Sequence, residues 1–135
     1  MRRADWQQQC KSHSAAAEAL IGSVCFSSAY YLAGLAVECA LKAKIAKSSK
    51  ASTWPKKEFI RDIHTHSLAQ LVKQAGLEAS LKAKCANATF NLYWQTVSGW
   101  QNDSKYETWS AAEARDMVRA AAGRFGVLAW IKKAW

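Results

Sequence analysis

Apolar positions along this chain recur at the three-to-four-residue spacing of a helix, and no stretch alternates with a period of two. The clearest run is Ser27 to Lys47, SSAYYLAGLAVECALKAKIAK, which holds no proline and one glycine, Gly34. Its Ala- and Leu-rich content predicts one long helix. At about 100° per residue, Leu32, Leu35, Ala36, Cys39 and Ala43 fall on one face, and Tyr30, Val37 and Leu41 lie nearly opposite. A helix apolar on two sides is predicted to be central, wrapped by others. Between those faces runs a stripe of different chemistry, Tyr31, Glu38 and Lys42. Glu38 precedes Lys42 by four residues, the favourable order for a helical ion pair. If a neighbouring helix covers that stripe, its charges must be paired, because a lone buried carboxylate is very costly.

The remaining pattern predicts the surrounding elements. Asp5 to Ile21 carries Trp6, Cys10, His13, Ala17 and Leu20 on one stripe, and Gly22-Ser23 ends that helix. On this stripe His13 reads as a core or edge histidine rather than a ligand. The polar stretch SSKASTWPKK, with the only proline, Pro55, reads as a long loop continuing through Arg61. Thr65-His66-Ser67 opens a short helix, Ser67 to Ala75, with Leu68, Leu71 and Val72 inward and Gly76 at its end. Glu78 to Gly99 reads as a second long helix, with Leu81, Cys85, Ala88, Leu92 and Thr96 on one face. Phe90, Tyr93, Trp94, Val97 and Trp100 spread over the rest, more aromatic surface than one small domain needs to cover, and are expected to form a subunit interface. After a polar stop at Gln101–Ser104, Ser110 and Glu113 have the spacing of a capping box. The last helix is predicted from Ala111 to near the end, with Ala114, Met117, Val118, Ala121, Phe125 and Leu128 inward. Gly123 and Gly126 mark where it bends or breaks. Arg115, Arg119, Trp130 and Lys133 gather on its other side. The expectation is a single all-α domain over residues 1–135, an up-down bundle of four long helices plus one short helix.

Composition narrows the function less than the fold. No run approaches the ~18 apolar residues of a membrane span. The start, MRRADWQQQC, has two arginines but no apolar stretch behind them, unlike a secretory signal. Cys10, Cys25, Cys39 and Cys85 are far apart and form no CxxC pair. They read as thiols of a cytoplasmic protein, with no metal site and no cofactor. A formal net charge of +9 admits RNA, DNA or an acidic partner and selects none of them.

The chain has no phosphate-cradling glycine loop, no GxSxG and no HExxH. Its ten acids are scattered, and His64 and His66, two apart with no cysteine near, make a poor zinc site. Trp54 sits among Lys50, Lys56 and Lys57, where aromatic and basic residues interleave as in single-strand binders, although a solvated loop explains the same stretch. With Arg115 and Arg119, the residues Trp54, Lys56 and Lys57 are the candidate nucleic-acid contacts.

The run from Ala29 to Ala43, AYYLAGLAVECALKA, resembles the second helix of HEPN domains, the higher eukaryotes and prokaryotes nucleotide-binding domains. His66-Ser-Leu68-Ala-Gln-Leu71 with Ala75-Gly76-Leu77 resembles the family's HxLxxL…AGL helix, and Trp100 followed by Lys105-Tyr106 resembles a W…RY segment. Val127-Leu128-Ala129-Trp130 is loosely similar to the end of the last helix. The resemblance implies a helical bundle that forms a homodimer and a prokaryotic protein that binds or acts on RNA or nucleotides in a toxin–antitoxin or defence setting. The alternative it carries is a non-catalytic interaction module partnering a nucleotidyltransferase or another protein. Catalytic members are metal-independent ribonucleases with an Arg-x(4–6)-His motif after the long aromatic helix. There arginine holds the scissile phosphate and histidine moves the proton of the ribose 2′-hydroxyl.

This chain departs from that motif. Lys105-Tyr106 stands where the arginine would be, and no histidine follows, His66 being the last. A lysine still offers phosphate a point charge. Arg61-Asp-Ile-His64-Thr-His66 satisfies the spacing at another place, which makes Arg61, His64 and His66 the candidate catalytic residues. The plainer expectation is that His66 anchors its helix toward Glu38. Tyr31, Glu38, Lys42, Lys105 and Tyr106 would then belong with it to one polar pocket, read first as a structural network.

Overall fold

The central run folds as expected. The computed structural model describes residues 1–48 and 65–135, and among these it contains helices and no strand. Helix α1 spans Arg3–Gly22 and α2 spans Phe26–Ser48. Thirteen residues of α2 are buried, from Ala29 to Ile45, on both of the faces that the apolar pattern marks. Leu32 and Leu35 are only partly covered. The two helices form an antiparallel hairpin. The turn between them is a glycine-type C-cap: Cys25 N–H donates to Leu20 O and Val24 N–H donates to Ile21 O.

Among the described residues five further helices and a short turn complete the frame. Helix α3 is Leu68–Gln74, α4 is Glu78–Lys84 and α5 is Ala88–Ser98. A 3-10 turn, Asn102–Tyr106, leads to α6 at Ala111–Ala122, and α7 is Val127–Lys132. Trp100, just past α5, packs on Gly34 and donates from Nε1 to Tyr31 O at 3.2 Å. At the other end Phe90 meets Trp130 edge to face, and Lys47 Nζ donates to Ala134 O at 3.2 Å. So α5 runs antiparallel to α2, and α6 with α7 runs alongside α2 in its own direction. Near the start of α2, Trp109 stacks on Tyr30 with ring centroids 3.7 Å apart, and its backbone N–H donates to Ser27 Oγ. Leu41, Ile45, Leu68, Leu71, Met117 and Ile131 fill the space between these elements without contact to solvent.

Two of the expected long helices are each broken in two. Glu78–Gly99 is interrupted at Cys85–Asn87, where Asn87 leaves the helical conformation and its Oδ1 caps α5 by accepting from Phe90 N–H at 2.9 Å. A short side chain that bonds the backbone this way competes with helix continuation. The interruption resets the helical phase. Leu92 is 62% exposed, whereas Phe90, Val97 and Trp100, expected at a subunit interface, are buried in their own chain. Those three therefore supply core rather than a surface for a second subunit, and Tyr93 and Trp94 remain partly exposed. The final helix breaks at Gly123, which is extended, so Phe125 turns outward at 72% exposure and Trp130 turns inward. The capping box of Ser110 and Glu113 is present with both of its hydrogen bonds.

Candidate functional site

The stripe on α2 is covered, and its charges are paired. Glu38 is 3% exposed and Lys42 6% exposed, and Lys42 Nζ stands 3.6 Å from Glu38 Oε2. The other carboxylate oxygen, Oε1, is in hydrogen-bond contact with His66 Nδ1. On the far side of Lys42 the Trp6 ring of α1 lies 5.1 Å away, centroid to Nζ, a cation–π contact that replaces water on the ammonium. No buried side-chain nitrogen or oxygen lacks a partner among the described residues. Burying a carboxylate this deep is tolerable only because both of its oxygens have such neighbours.

His66 is positioned by the sequence around it. Ser67 caps α3, its Oγ accepting from Gln70 N–H at 3.3 Å, while Thr65 Oγ1 accepts from Ser67 N–H at 3.1 Å. Leu68, Leu71 and Val72 bury the helix that follows. The backbone of His66 is thus held on both sides. Its ring is 48% exposed, with Nδ1 on the carboxylate and no partner on Nε2 among the described residues. A carboxylate on Nδ1 favours the tautomer whose lone pair is on Nε2. Such a pair can move a proton to or from a bound molecule.

Neighbouring titratable groups are tuned toward their neutral forms. Burial pushes the Cys39 thiol up to about 12, with the Glu38 charge adding to it, and pushes Cys10 up to about 11. His13 is lowered by burial, against the opposing pull of Glu38. Tyr31 is raised, first by burial. Among the described residues no group of three or more His, Cys, Asp or Glu is arranged to hold a metal ion.

The sequence-derived candidates divide into three sets. Tyr31, Glu38, Lys42 and His66 share one side of α2. Tyr31 Oη makes a long contact, 3.5 Å, with Asn102 Oδ1 of the 3-10 turn. Lys105 and Tyr106 lie in that same turn but do not close a pocket: Tyr106 is 79% exposed, with Lys105 Nζ 5.1 Å from its ring. A five-residue turn ending in extended backbone at Glu107 leaves that ring in solvent. Trp54, Lys56, Lys57, Arg61 and His64 lie outside the described residues. Arg115 and Arg119 are exposed on α6, Arg115 over the Phe26 ring at 5.4 Å and Arg119 with its Nη1 3.9 Å from Asp116 Oδ1. Arg119 also borders an open groove of about 520 Å³ between α5 and α6, lined by Leu92, Tyr93, Gln95 and Thr96.

Sequence reasoning missed two contributors, Trp6 over Lys42 and Asn102 beside Tyr31. Trp6 stands on the predicted α1 stripe, but only the register of α1 on α2 tells which residue it covers. Comparison with protein-family profiles, curated proteins and solved structures returns no match for this chain.

Proposed function

We propose that this chain is a HEPN-like RNA-binding protein that cleaves RNA, with His66 as its proton-transfer group and Glu38 as the residue that orients it. One observation carries the reading: a buried carboxylate holds Nδ1 of a half-exposed imidazole. The net charge of +9 supplies the attraction for a polyanion. In the reaction, His66 Nε2 accepts the proton of a ribose 2′-hydroxyl while O2′ bonds to phosphorus and the P–O5′ bond breaks. The imidazolium then returns its proton to O5′, leaving a 2′,3′-cyclic phosphate and a 5′-hydroxyl. Arg61, five residues before His66, is the proposed phosphate-holding group. The motif resemblance is what supports a toxin–antitoxin or defence setting and a homodimer for this activity.

The test is RNA cleavage by the purified protein in chelator, comparing wild type with His66→Ala. Loss of cleavage in a variant that melts cooperatively supports the reading; equal cleavage by both removes His66 from it.

A second reading has its own observation. Glu38 is shared between His66 and Lys42, so the same contacts fasten the segment before α3 onto α2, a structural duty that needs no catalysis. On that reading the chain is an interaction module for a nucleotidyltransferase or another protein. Wild-type protein that leaves RNA intact in the same assay decides for it.

A further inference from the structure

The stripe that places His66 also places a second group two turns away. Tyr31 and Glu38 are seven residues apart on α2, which is about 10 Å along the axis and within about 20° of the same azimuth. Tyr31 contacts Asn102 and Glu38 contacts His66, so the 3-10 turn and the imidazole sit on one side of α2. In a 3-10 helix, side chains at i and i+3 eclipse. Lys105 therefore shares the face of Asn102, over Tyr31, and Tyr31 responds to the charge of Lys105 and to Tyr106. Tyr106 presents a ring 79% exposed, with the Lys105 ammonium beside it. An aromatic ring that covers no core, next to a cation, is the recurring platform for an unstacked base and its phosphate.

We infer that Tyr106 and Lys105 form a single-stranded RNA subsite on the same side of α2 as His66, Tyr106 stacking an unpaired base and Lys105 holding its phosphate. The inference rests on the RNA reading above, but not on its cleavage step. It identifies the substrate as unpaired, because a duplex base offers no free face to Tyr106.

The experiment is fluorescence anisotropy with a labelled 2′-O-methyl uridine 12-mer, which keeps the base and phosphate that the subsite takes and lacks the nucleophilic 2′-hydroxyl, with the same length of duplex as control. Tyr106→Ala is expected to weaken single-strand binding about five- to one-hundred-fold, the range of one lost stacking contact. Tyr106→Phe should remain within about twofold of wild type. Lys105→Ala should make the slope of log K against log salt shallower by about 0.7, one single-strand phosphate. Binding by Tyr106→Ala equal to wild type, equal preference for the duplex, or no binding by wild type overturns the subsite. The two proposals fail separately: cleavage that needs His66 but ignores Tyr106 leaves the active-site reading standing, and Tyr106-dependent binding without cleavage leaves the subsite standing.

Discussion

Trp100 lies so close to Gly34 that a Cβ on residue 34 would stand 2.2 Å from the indole Cδ1. This contact lets α2 meet the end of α5 at backbone distance, with Trp100 Nε1 bonded to Tyr31 O and its ring stacked on Tyr31 at 5.7 Å. Gly34→Ala must displace a ring that is 1% exposed. The overpacking is worth about 1–3 kcal/mol or more, against which alanine regains up to about 1 kcal/mol of helix propensity. The net expectation is a loss of about 2 kcal/mol, seen as a fall of several degrees in Tm. In a Trp100→Phe background the alanine penalty should shrink; an unchanged penalty there would show that the indole is not its source.

How far the fold was legible follows from such contacts. Helices α1 and α2 lie within two residues of their predicted ends because the Gly22-Ser23 break and the Ala-rich run are local signals. The Glu38–Lys42 pair was legible for the same reason, a spacing of four on one helix. The break before α5 was not, since Asn87 as a cap is indistinguishable in sequence from a solvated helical asparagine. Beyond that break Leu92 lies in solvent and Phe90, Val97 and Trp100 lie in the core. For the site, His66 beside Glu38 was expected from chemistry across 28 residues, whereas Trp6 over Lys42 depends on tertiary register that no local pattern encodes.

Val24 and Gly76 occupy the same position in two identical caps, and only one of them suits it. Val24 has φ 61° and Gly76 φ 72°, and each is followed by a residue that donates back to a carbonyl five residues earlier, Cys25 to Leu20 and Leu77 to Val72. A β-branched residue is strained in that region, by about 1–2 kcal/mol. Because the Val24 side chain is 69% exposed, its removal sacrifices little packing. Val24→Gly should raise stability by about 1 kcal/mol in denaturant titration, and Gly76→Val should lower it. A stabilising Gly76→Val would contradict the cap assignment.

Thiol reactivity should separate the four cysteines. Cys10 and Cys39 are buried and pushed up to about 11 and 12, so neither offers a thiolate near neutral pH. Cys25 is exposed and should react at once with an aromatic disulfide reagent at pH 8, with Cys85, partly covered and raised by burial, following more slowly. The inner two should react only on unfolding. Rapid modification of all four in native protein would refute the packing of α1 on α2.

The same burial fixes the pH dependence. A thiol raised in the folded state keeps its proton where the unfolded chain has lost it, so the stabilising contribution of Cys10 and Cys39 is complete below about pH 9 and drains away as pH climbs toward 11–12. Tyr30 and Tyr31, also raised by burial, add to this loss from about pH 10. On the acid side His13, lowered by burial, favours the fold in its neutral form, and Glu113, lowered by its Ser110 hydrogen bonds, favours it as an anion. Both contributions fade as pH falls, below about 6.5 for His13 and below about 4.5 for Glu113. Urea midpoints should therefore form a plateau near pH 7–8.5 and fall on both sides. Cys39→Ala should flatten the alkaline limb, and an unaltered limb would assign it elsewhere.

Glu38 tests whether the buried pair exists for stability or for His66. Removing one partner of such a pair strands the other: Glu38→Gln leaves Lys42 6% exposed with only the Trp6 ring beside it. Breaking a buried pair in this way is worth about 3–5 kcal/mol, whereas replacing both charges by apolar groups of similar size is often neutral or stabilising. Glu38→Gln should therefore be markedly destabilised, and Glu38→Leu with Lys42→Met should recover most of the loss in chemical denaturation. If the double variant is stable and still cleaves RNA, Glu38 does not orient the imidazole. If it is stable but inactive while retaining single-strand binding, the carboxylate is held in the core, against its desolvation cost, to position His66. The double variant therefore separates the stability of the α2 stripe from its chemistry, which neither single substitution can do.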